Sequence, residues 1–258
     1  MPKAYKMTKF LYGYERKAKI QFDMTPTIIF GDVHGSTYWK EVVNEYPDRR
    51  YIFLGDYLDP YEAIENNVLI DNLKEIIQLK KERTDDVVLL LGNHDMHYVD
   101  WDFEPCSRYN VGIEMKIHAL FTENRSLFTY AFQEGNRIFT HAGISQKWFF
   151  EDFGGDIEKN IAEQFNNPSP EQIPALYRCG WFRGGGWFRD DNKRDIGGIF
   201  WADINELEMP LQGFVQFAGH NKVDKIRKYV VENGMIFFCD CLYNKVFMKL
   251  DFENVNSK

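Results

Sequence analysis

The sequence predicts an α/β protein built on a parallel sheet, and three observations carry that prediction. Short apolar runs rich in β-branched and aromatic residues alternate with helical patterns through the first third of the 258 residues. Such runs read as strands buried on both faces. Each of these strands runs into a glycine followed by a polar residue, the turn chemistry of a strand end. The C-terminal part returns to short strands around Asn233-Gly234, the strongest local hairpin signal.

Taken in order, Thr27-Ile28-Ile29-Phe30, Tyr51-Ile52-Phe53-Leu54 and Val87-Val88-Leu89-Leu90-Leu91 are the first strands. A short helical pattern over 38–46 and a longer one over 62–83 separate them. In the longer one Leu69, Leu73, Ile76 and Lys80 repeat at helical spacing, and Lys80, Lys81 and Arg83 suit the negative end of the helix dipole. Strand–helix–strand order implies right-handed crossovers and parallel pairing. Residues 98–137 are expected to hold helices, and 137–140 a fourth strand. Residues 151–200 carry Asn166-Asn167-Pro168-Ser169-Pro170, the glycine run 184–186 and a charged stretch over 189–195. They are expected to form long loops or a lid-like insertion. Strands follow at 215–218, 229–231 and 235–238, and 246–252 closes the sheet. The chain is expected to form one domain over 1–258, with the loop-rich insertion around 151–200.

Composition removes several function classes. Lys and Arg number 31 against 39 Asp and Glu, a formal charge of −8, which disfavours wrapping a long nucleic acid. No stretch approaches the ~20 apolar residues of a membrane span, and the basic N-terminus lacks an apolar signal core. A cytoplasmic location without membrane attachment is expected. Cys106, Cys179, Cys239 and Cys241 fit neither a zinc ribbon nor a disulfide framework. Cys239 and Cys241 flank Asp240 in an apolar run and read as buried thiols in a reducing compartment.

The strand ends carry the chemistry. They read Gly31-Asp32-Val33-His34-Gly35, Gly55-Asp56-Tyr57-Leu58-Asp59, Gly92-Asn93-His94-Asp95, Thr140-His141-Ala142-Gly143 and Gly219-His220-Asn221. Open α/β sheets bind ligands outside the carboxyl ends of their strands, so these turns face one crevice. One such turn alone is ordinary capping, and one histidine beside apolar residues is ordinarily a core histidine. Five together, each offering Asp, Asn or His, exceed what turn chemistry explains. Two carboxylates, an amide and three imidazoles suit Mn, Fe, Zn or Co rather than Ca. Six ligands are too many for one zinc and fit two divalent metal ions ~3.5–4 Å apart that share a carboxylate.

This order of motifs resembles the calcineurin-like metallophosphoesterase superfamily, and within it the branch of phosphoprotein phosphatases and symmetrical diadenosine tetraphosphate hydrolases. The resemblance implies two mixed β-sheets sandwiched between helices, a four-layer α/β sandwich. It implies that Asp32 and His34 hold one metal, that Asp56 bridges both, and that Asn93, His141 and His220 hold the other. His94 would donate a proton to the leaving oxygen, oriented by Asp59, while a hydroxide bridging the metals attacks phosphorus. Some relatives carry a further ligand histidine where this chain has Lys222, which favours the phosphatase-like reading.

The match departs from the phosphatases at Pro60, where they carry a phosphate-clamping arginine. The arginine that follows their Trp-Ser-Asp segment has no counterpart after Trp201-Ala202-Asp203. Arg178, Arg183, Arg189 and Arg194 are candidate replacements, each also readable as a solvated surface residue. Arg183 is preferred because the adjacent glycines 184–186 offer a backbone anion nest, or simple loop flexibility. His97, and Trp148 after the 140–144 segment, resemble features of the dinucleotide hydrolases; His97 reads as a substrate contact or a helix-face polar residue. Trp181, Phe182, Trp187 and Phe188 could stack on a base or peptide, or pack a loop onto the domain. His118 reads as structural. The expected function is hydrolysis of a phosphomonoester, on a small molecule or a phosphoprotein. Symmetrical dinucleoside polyphosphate hydrolysis is the alternative, and a binding scaffold on a degenerate fold the non-enzymatic one.

Overall fold

The computed structural model describes residues 25–185, 194–232 and 234–251. Gly186, Trp187, Phe188, Arg189, Asn233 and Phe252, and the N-terminal segment read for a signal, lie outside the described residues. The three expected strands are β1 (Thr27–Phe30), β2 (Arg50–Phe53) and β3 (Val87–Leu90), separated by helices α1 (Tyr38–Glu45) and α2 (Asn66–Glu82). β1, β2 and β3 pair in parallel. The segment 246–252 contributes β10 (Met248–Leu250), which closes the sheet beside β1, antiparallel with Thr27 opposite Leu250.

A helical reading of 98–137 holds only in part. Helices α3 (Asn93–Val99) and α4 (Glu114–Glu123) are followed by β4 (Phe128–Thr129) and β5 (Ala131–Glu134). β4 is the far edge of the first sheet and β5 an edge of the second, so the chain changes sheets at Tyr130. Two residues of strand carry no period that a sequence could display. The second sheet runs β5, β6 (Arg137–Thr140), β7 (Val215–Ala218), β9 (Gly234–Phe238), β8 (Arg227–Val231). β8 and β9 form the expected antiparallel hairpin, with Val231 opposite Gly234. Residues 151–200 are not loop alone: the short helices α5 (Ile161–Asn166) and α6 (Ile173–Leu176) interrupt them.

The two mixed sheets stack face to face. Ile29, Ile52, Leu54 and Leu90 of the first meet Phe139, Phe217 and Cys239 of the second. Ile28, Phe30, Tyr51, Phe53 and Leu89 point the other way, onto Trp39 and Val42 of α1 and Leu69, Leu73 and Ile76 of α2. Both faces of the strands are therefore covered, which is why their sequences read as unbroken apolar runs. Ala218, Ile236 and Phe238 pack on Ala142, Ala202 and Leu207 across the outer face of the second sheet, completing four layers. Among the described residues no helix is long and apolar enough to cross a membrane.

Candidate metal centre

All five strand-end turns meet at one rim. Ligand atoms of Asp32, Asp56 and His141 lie within 4.8 Å of one another, as do those of Asp59, His94 and His97. Some glycines of the turns supply a positive φ, as Gly35, Gly55 and Gly143 do (φ 78°, 102° and 102°), and others permit close approach. A Cβ on Gly92 would collide with the Asp56 carboxylate, and one on Gly219 with that of Asp32. Positive φ is also forced on the non-glycine residues His34 (φ 42°), Asp56 (φ 52°), Asp59 (φ 55°) and His220 (φ 61°). Strain of this kind persists where the surroundings over-determine the backbone and it commonly marks functional sites.

Two of the three imidazoles are aimed by backbone carbonyls. His34 Nδ1 is 2.7 Å from the Leu58 oxygen and His141 Nδ1 is 2.8 Å from the Leu54 oxygen. A carbonyl only accepts, so Nδ1 carries the proton and Nε2 presents a lone pair. His34 Nε2 then faces Asp56 Oδ2 at 3.6 Å and Asp32 Oδ2 at 3.9 Å. His141 Nε2 faces Asn93 Oδ1 at 2.9 Å. The Asn93 amide is turned so that Nδ2 donates to Cys106 Sγ at 3.2 Å, which leaves Oδ1 pointing inward. His220 Nδ1 is 3.0 Å from the same oxygen, and its buried Nε2 has no hydrogen-bond partner. Lone pairs and carboxylates thus face one another with too few protons between them. Divalent cations fit this donor set, with the amide, imidazoles and carboxylates of a borderline metal.

Burial, then Asp240 and Asp56, pushes the Asp32 carboxyl well up, and burial and then Asp95 do the same to Asp56. Burial raises Asp95 to about 7 and Asp240 to about 6. Burial lowers His34 and His141 to about 3, and His220 well below its usual range. The linkage signs follow. Between about pH 4 and pH 6.5 the raised acids hold protons only in the fold and the lowered histidines bind them only when unfolded, so their effects on stability oppose. Above about pH 6.5 the histidines fall silent while Asp95, raised to about 7, still loses its proton. Stability of the metal-free protein therefore falls as pH rises. In chelator the melting temperature is expected to drop by several degrees between about pH 6.5 and 8. The increment from added Mn(II) should grow over the same interval, because binding releases protons. A flat profile in differential scanning fluorimetry would remove this electrostatic account.

The second group is drawn together by Asp59, although the buried His97 Nε2 makes no well-aligned hydrogen bond. Asp59 Oδ2 lies 2.8 Å from His94 Nδ1 and 2.9 Å from His97 Nε2, and Oδ1 accepts from the Tyr98 hydroxyl at 2.7 Å. Although burial raises it, His94 and His97 hold the Asp59 carboxyl below the usual range. Burial, opposed by the Asp59 bond, lowers His94. His97 is buried, and its Nδ1 accepts the Cys106 N–H at 3.0 Å. It orients Asp59 and pins the following loop rather than meeting solvent. Trp148 is also buried, donating to the Ala175 carbonyl at 3.1 Å.

Of the candidate arginines, Arg178 is paired with Asp152 at 3.0 Å, and Arg194 lies over Trp181 and Phe182. Arg183 reaches the rim, where Nε meets Asp203 Oδ2 at 2.8 Å and Nη2 donates to Asn221 Oδ1 at 2.8 Å. The expected glycine nest is not formed by its described part: the Gly184 and Gly185 N–H groups bond back to the Trp181 and Gly180 carbonyls. His118 holds the Tyr98 carbonyl at 2.8 Å, a structural role. Sequence reasoning passed over three residues. Asp95 accepts from the N–H groups of Gly92, Asp56 and Tyr57, locking two turns together; its place three residues into a helix start was a readable signal. Asp240 is buried beside Asp32 with Oδ2 unpartnered. Arg108, from an irregular loop, brings Nη2 to 3.3 Å from His94 Nε2.

A family model described as calcineurin-like phosphoesterase matches residues 25–234. Serine/threonine-protein phosphatase ppe1 of Schizosaccharomyces pombe is 33% identical over 88 residues, 32% of this chain. That match spans 27% of the relative's length, well under half of it. A mutant form of a cold-active protein tyrosine phosphatase superposes with a TM-score of 0.50 at 14% identity, covering 86% of this chain and 72% of its own. A protein serine/threonine phosphatase from Saccharomyces cerevisiae aligns with a TM-score of 0.48 at 13% identity, over 84% of this chain and 67% of its own.

Proposed function

This chain belongs to the calcineurin-like phosphoesterase family, and from that premise we propose that it is a hydrolase that cleaves a phosphomonoester at a dinuclear metal centre. Asp32 and His34 would hold one cation and Asn93, His141 and His220 the other, with the Asp56 carboxylate shared between the two groups. The observation that carries the reading is the convergence of Asp32, Asp56 and His141 within 4.8 Å. When bound, two divalent cations would neutralise phosphoryl charge and activate water at neutral pH.

The chain's own residues supply the rest. Asp59, kept ionised, fixes His94 with its Nδ1 proton inward and Nε2 toward the site, so His94 holds and delivers the proton that the leaving oxygen needs. Asp95 fixes the turns that carry Asp56 and His94. Burial of Asp56 and His141 keeps bulk water from the ligand side. The phosphorylated group is carried by a small molecule or a protein. Filled ligand positions at every turn argue against a non-catalytic scaffold. The residues that leaned toward a dinucleotide substrate, His97 and Trp148, are both buried in packing roles. The free cysteines support action in the reducing cytoplasm, by a single domain.

The test is metal analysis with a substrate panel. Two Mn(II), Fe, Zn(II) or Co(II) ions per chain and fastest turnover on aryl phosphates are expected. Faster conversion of diadenosine tetraphosphate to two ADP would replace the phosphomonoester reading. One ion per chain would remove the dinuclear part.

A further inference from the structure

Arg108 and Lys222 share one aromatic ring at the mouth of the centre. Arg108 Cζ lies 3.9 Å, and Lys222 Nζ 4.3 Å, from the centroid of the Tyr61 ring. Tyr61 in turn packs edge-on against His34, centroids 5.1 Å apart. Among the described residues neither cation is within ion-pair distance of a carboxylate, whereas Arg183, on the other flank, is paired to Asp203. Two like charges on one exposed ring repel, and the arrangement is relieved when an anion joins them.

Arg108 is also fixed in place. Its backbone is left-handed at φ 64°, and its Nε donates to the Asp59 carbonyl at 2.8 Å. The loop that carries it is tied at Cys106 to His97 and at Asn110 to the Tyr98 hydroxyl. This ordering places Nη2 next to His94 Nε2, the side on which the leaving group departs. Behind it opens a cleft of about 500 Å³ lined by Asp59, Pro60, Glu62, Arg108, Tyr109 and Asn110.

We propose that Arg108 and Lys222 form an anion subsite on the leaving-group side, so that preferred substrates carry a second negative group, a phosphate or a carboxylate, on the moiety released. This rests on the phosphomonoesterase reading. It explains why a chain with a formal charge of −8 keeps two cations without a direct ion pair at this mouth, although both are felt by the buried Asp240: a local positive field steers an anionic ester that the rest of the surface repels.

The experiment compares kcat/KM for phenyl phosphate, 3-carboxyphenyl phosphate and phenylene 1,3-bisphosphate with Mn(II)-loaded enzyme. The carboxylate substrate should be favoured about tenfold over phenyl phosphate, in KM rather than kcat, and the advantage should shrink with salt. Preference for the bisphosphate alone would assign the subsite to phosphate. Lys222→Gln should remove most of the preference while leaving phenyl phosphate turnover within about twofold, and Arg108→Gln should remove it too. Glu62→Gln, which deletes the exposed acid of the cleft, should raise it. Melting temperature should not move for these exposed positions. Turnover of all three esters at equal kcat/KM, or a preference that survives both cation variants, would overturn the subsite alone. No turnover of any ester would overturn the phosphomonoesterase reading and the subsite with it.

Discussion

Replacing Asp56 by asparagine is expected to lower kcat/KM by ~10³-fold or more and to strip metal from the protein, yet to raise the melting temperature measured in chelator. Asparagine keeps the volume and the Oδ1 acceptor that takes the His94 N–H at 2.9 Å, so the turn survives. On the proposed dinuclear reading, what disappears is a charge that two cations would share. Orienting partners outside the ligand shell typically change affinity 10–100-fold, and a bridging ligand counts toward both ions. A single electrostatic contact to the transition state is commonly worth ~10²–10³-fold in rate. Without metal the sign reverses. Asp56 is buried and crowded first by burial and then by Asp95, so its ionised form costs stability that asparagine recovers. Wild type should show a large Mn(II)-induced rise in melting temperature, and D56N a higher baseline with little rise. Metal content by plasma spectrometry that matched wild type would refute the bridging role.

The proposed ligand residues could be picked out in the sequence because their placement is local. Asp32, His34, Asp56, Asn93, His141 and His220 each sit within four residues of a strand end, so recognising the strands was enough to bring them together. The arms that finish the site are not local. Arg108 lies nine residues beyond Val99, in a stretch without periodicity, and is delivered by hydrogen bonds that the N–H groups of Cys106 and Asn110 donate to His97 Nδ1 and the Tyr98 hydroxyl. Asp240 follows β9 in an apolar run where its neighbours are buried thiols, so its sequence context advertised a strand, not a carboxylate beside Asp32. Arg183 was marked by the glycines after it, but it reaches the rim through Asp203 and Asn221.

The same limit explains the missed strands. Phe128–Thr129 and Ala131–Glu134 are edge strands. Only Phe128 and Ala131 among these residues are buried, so neither segment displays an alternating pattern. β4 is set by pairing with β3, where Leu89 stands opposite Phe128 far away in sequence and outside any local window; β5 is the first arm of a tight hairpin with β6, Glu134 opposite Arg137, and its Gly135-Asn136 turn was a readable signal that went unused. Residues 161–176 form helices of four to six residues whose ends are set by tertiary contacts such as Gln133 accepting the Ile161 N–H at 2.7 Å. Short helices gain too little from propensity to declare themselves.

His94→Ala is expected to reduce kcat by ~10²–10⁴-fold on alkyl or seryl phosphates while retaining the metals. On p-nitrophenyl phosphate, whose leaving group needs little protonation, the loss should be about tenfold. The turn that carries His94 does not depend on its ring, because its backbone N–H is what meets Asp56. The pH profile adds a second criterion. An acid must be protonated to act, so activity falls as pH rises through its pKa. Burial lowers that pKa in the free enzyme, and an adjacent phosphate dianion raises it again. The alkaline limb of kcat/KM should therefore lie at lower pH than that of kcat, and H94A should lose both limbs. Asp59→Asn should mimic H94A on poor leaving groups, since an amide at 2.8 Å no longer stabilises the imidazolium. The double variant should fall little further than either single one. Equal losses on good and poor leaving groups would deny His94 the role of acid. Loss of a metal in H94A would instead make the Asp59, His94 and His97 cluster a cation site, and the proton would have to come from elsewhere.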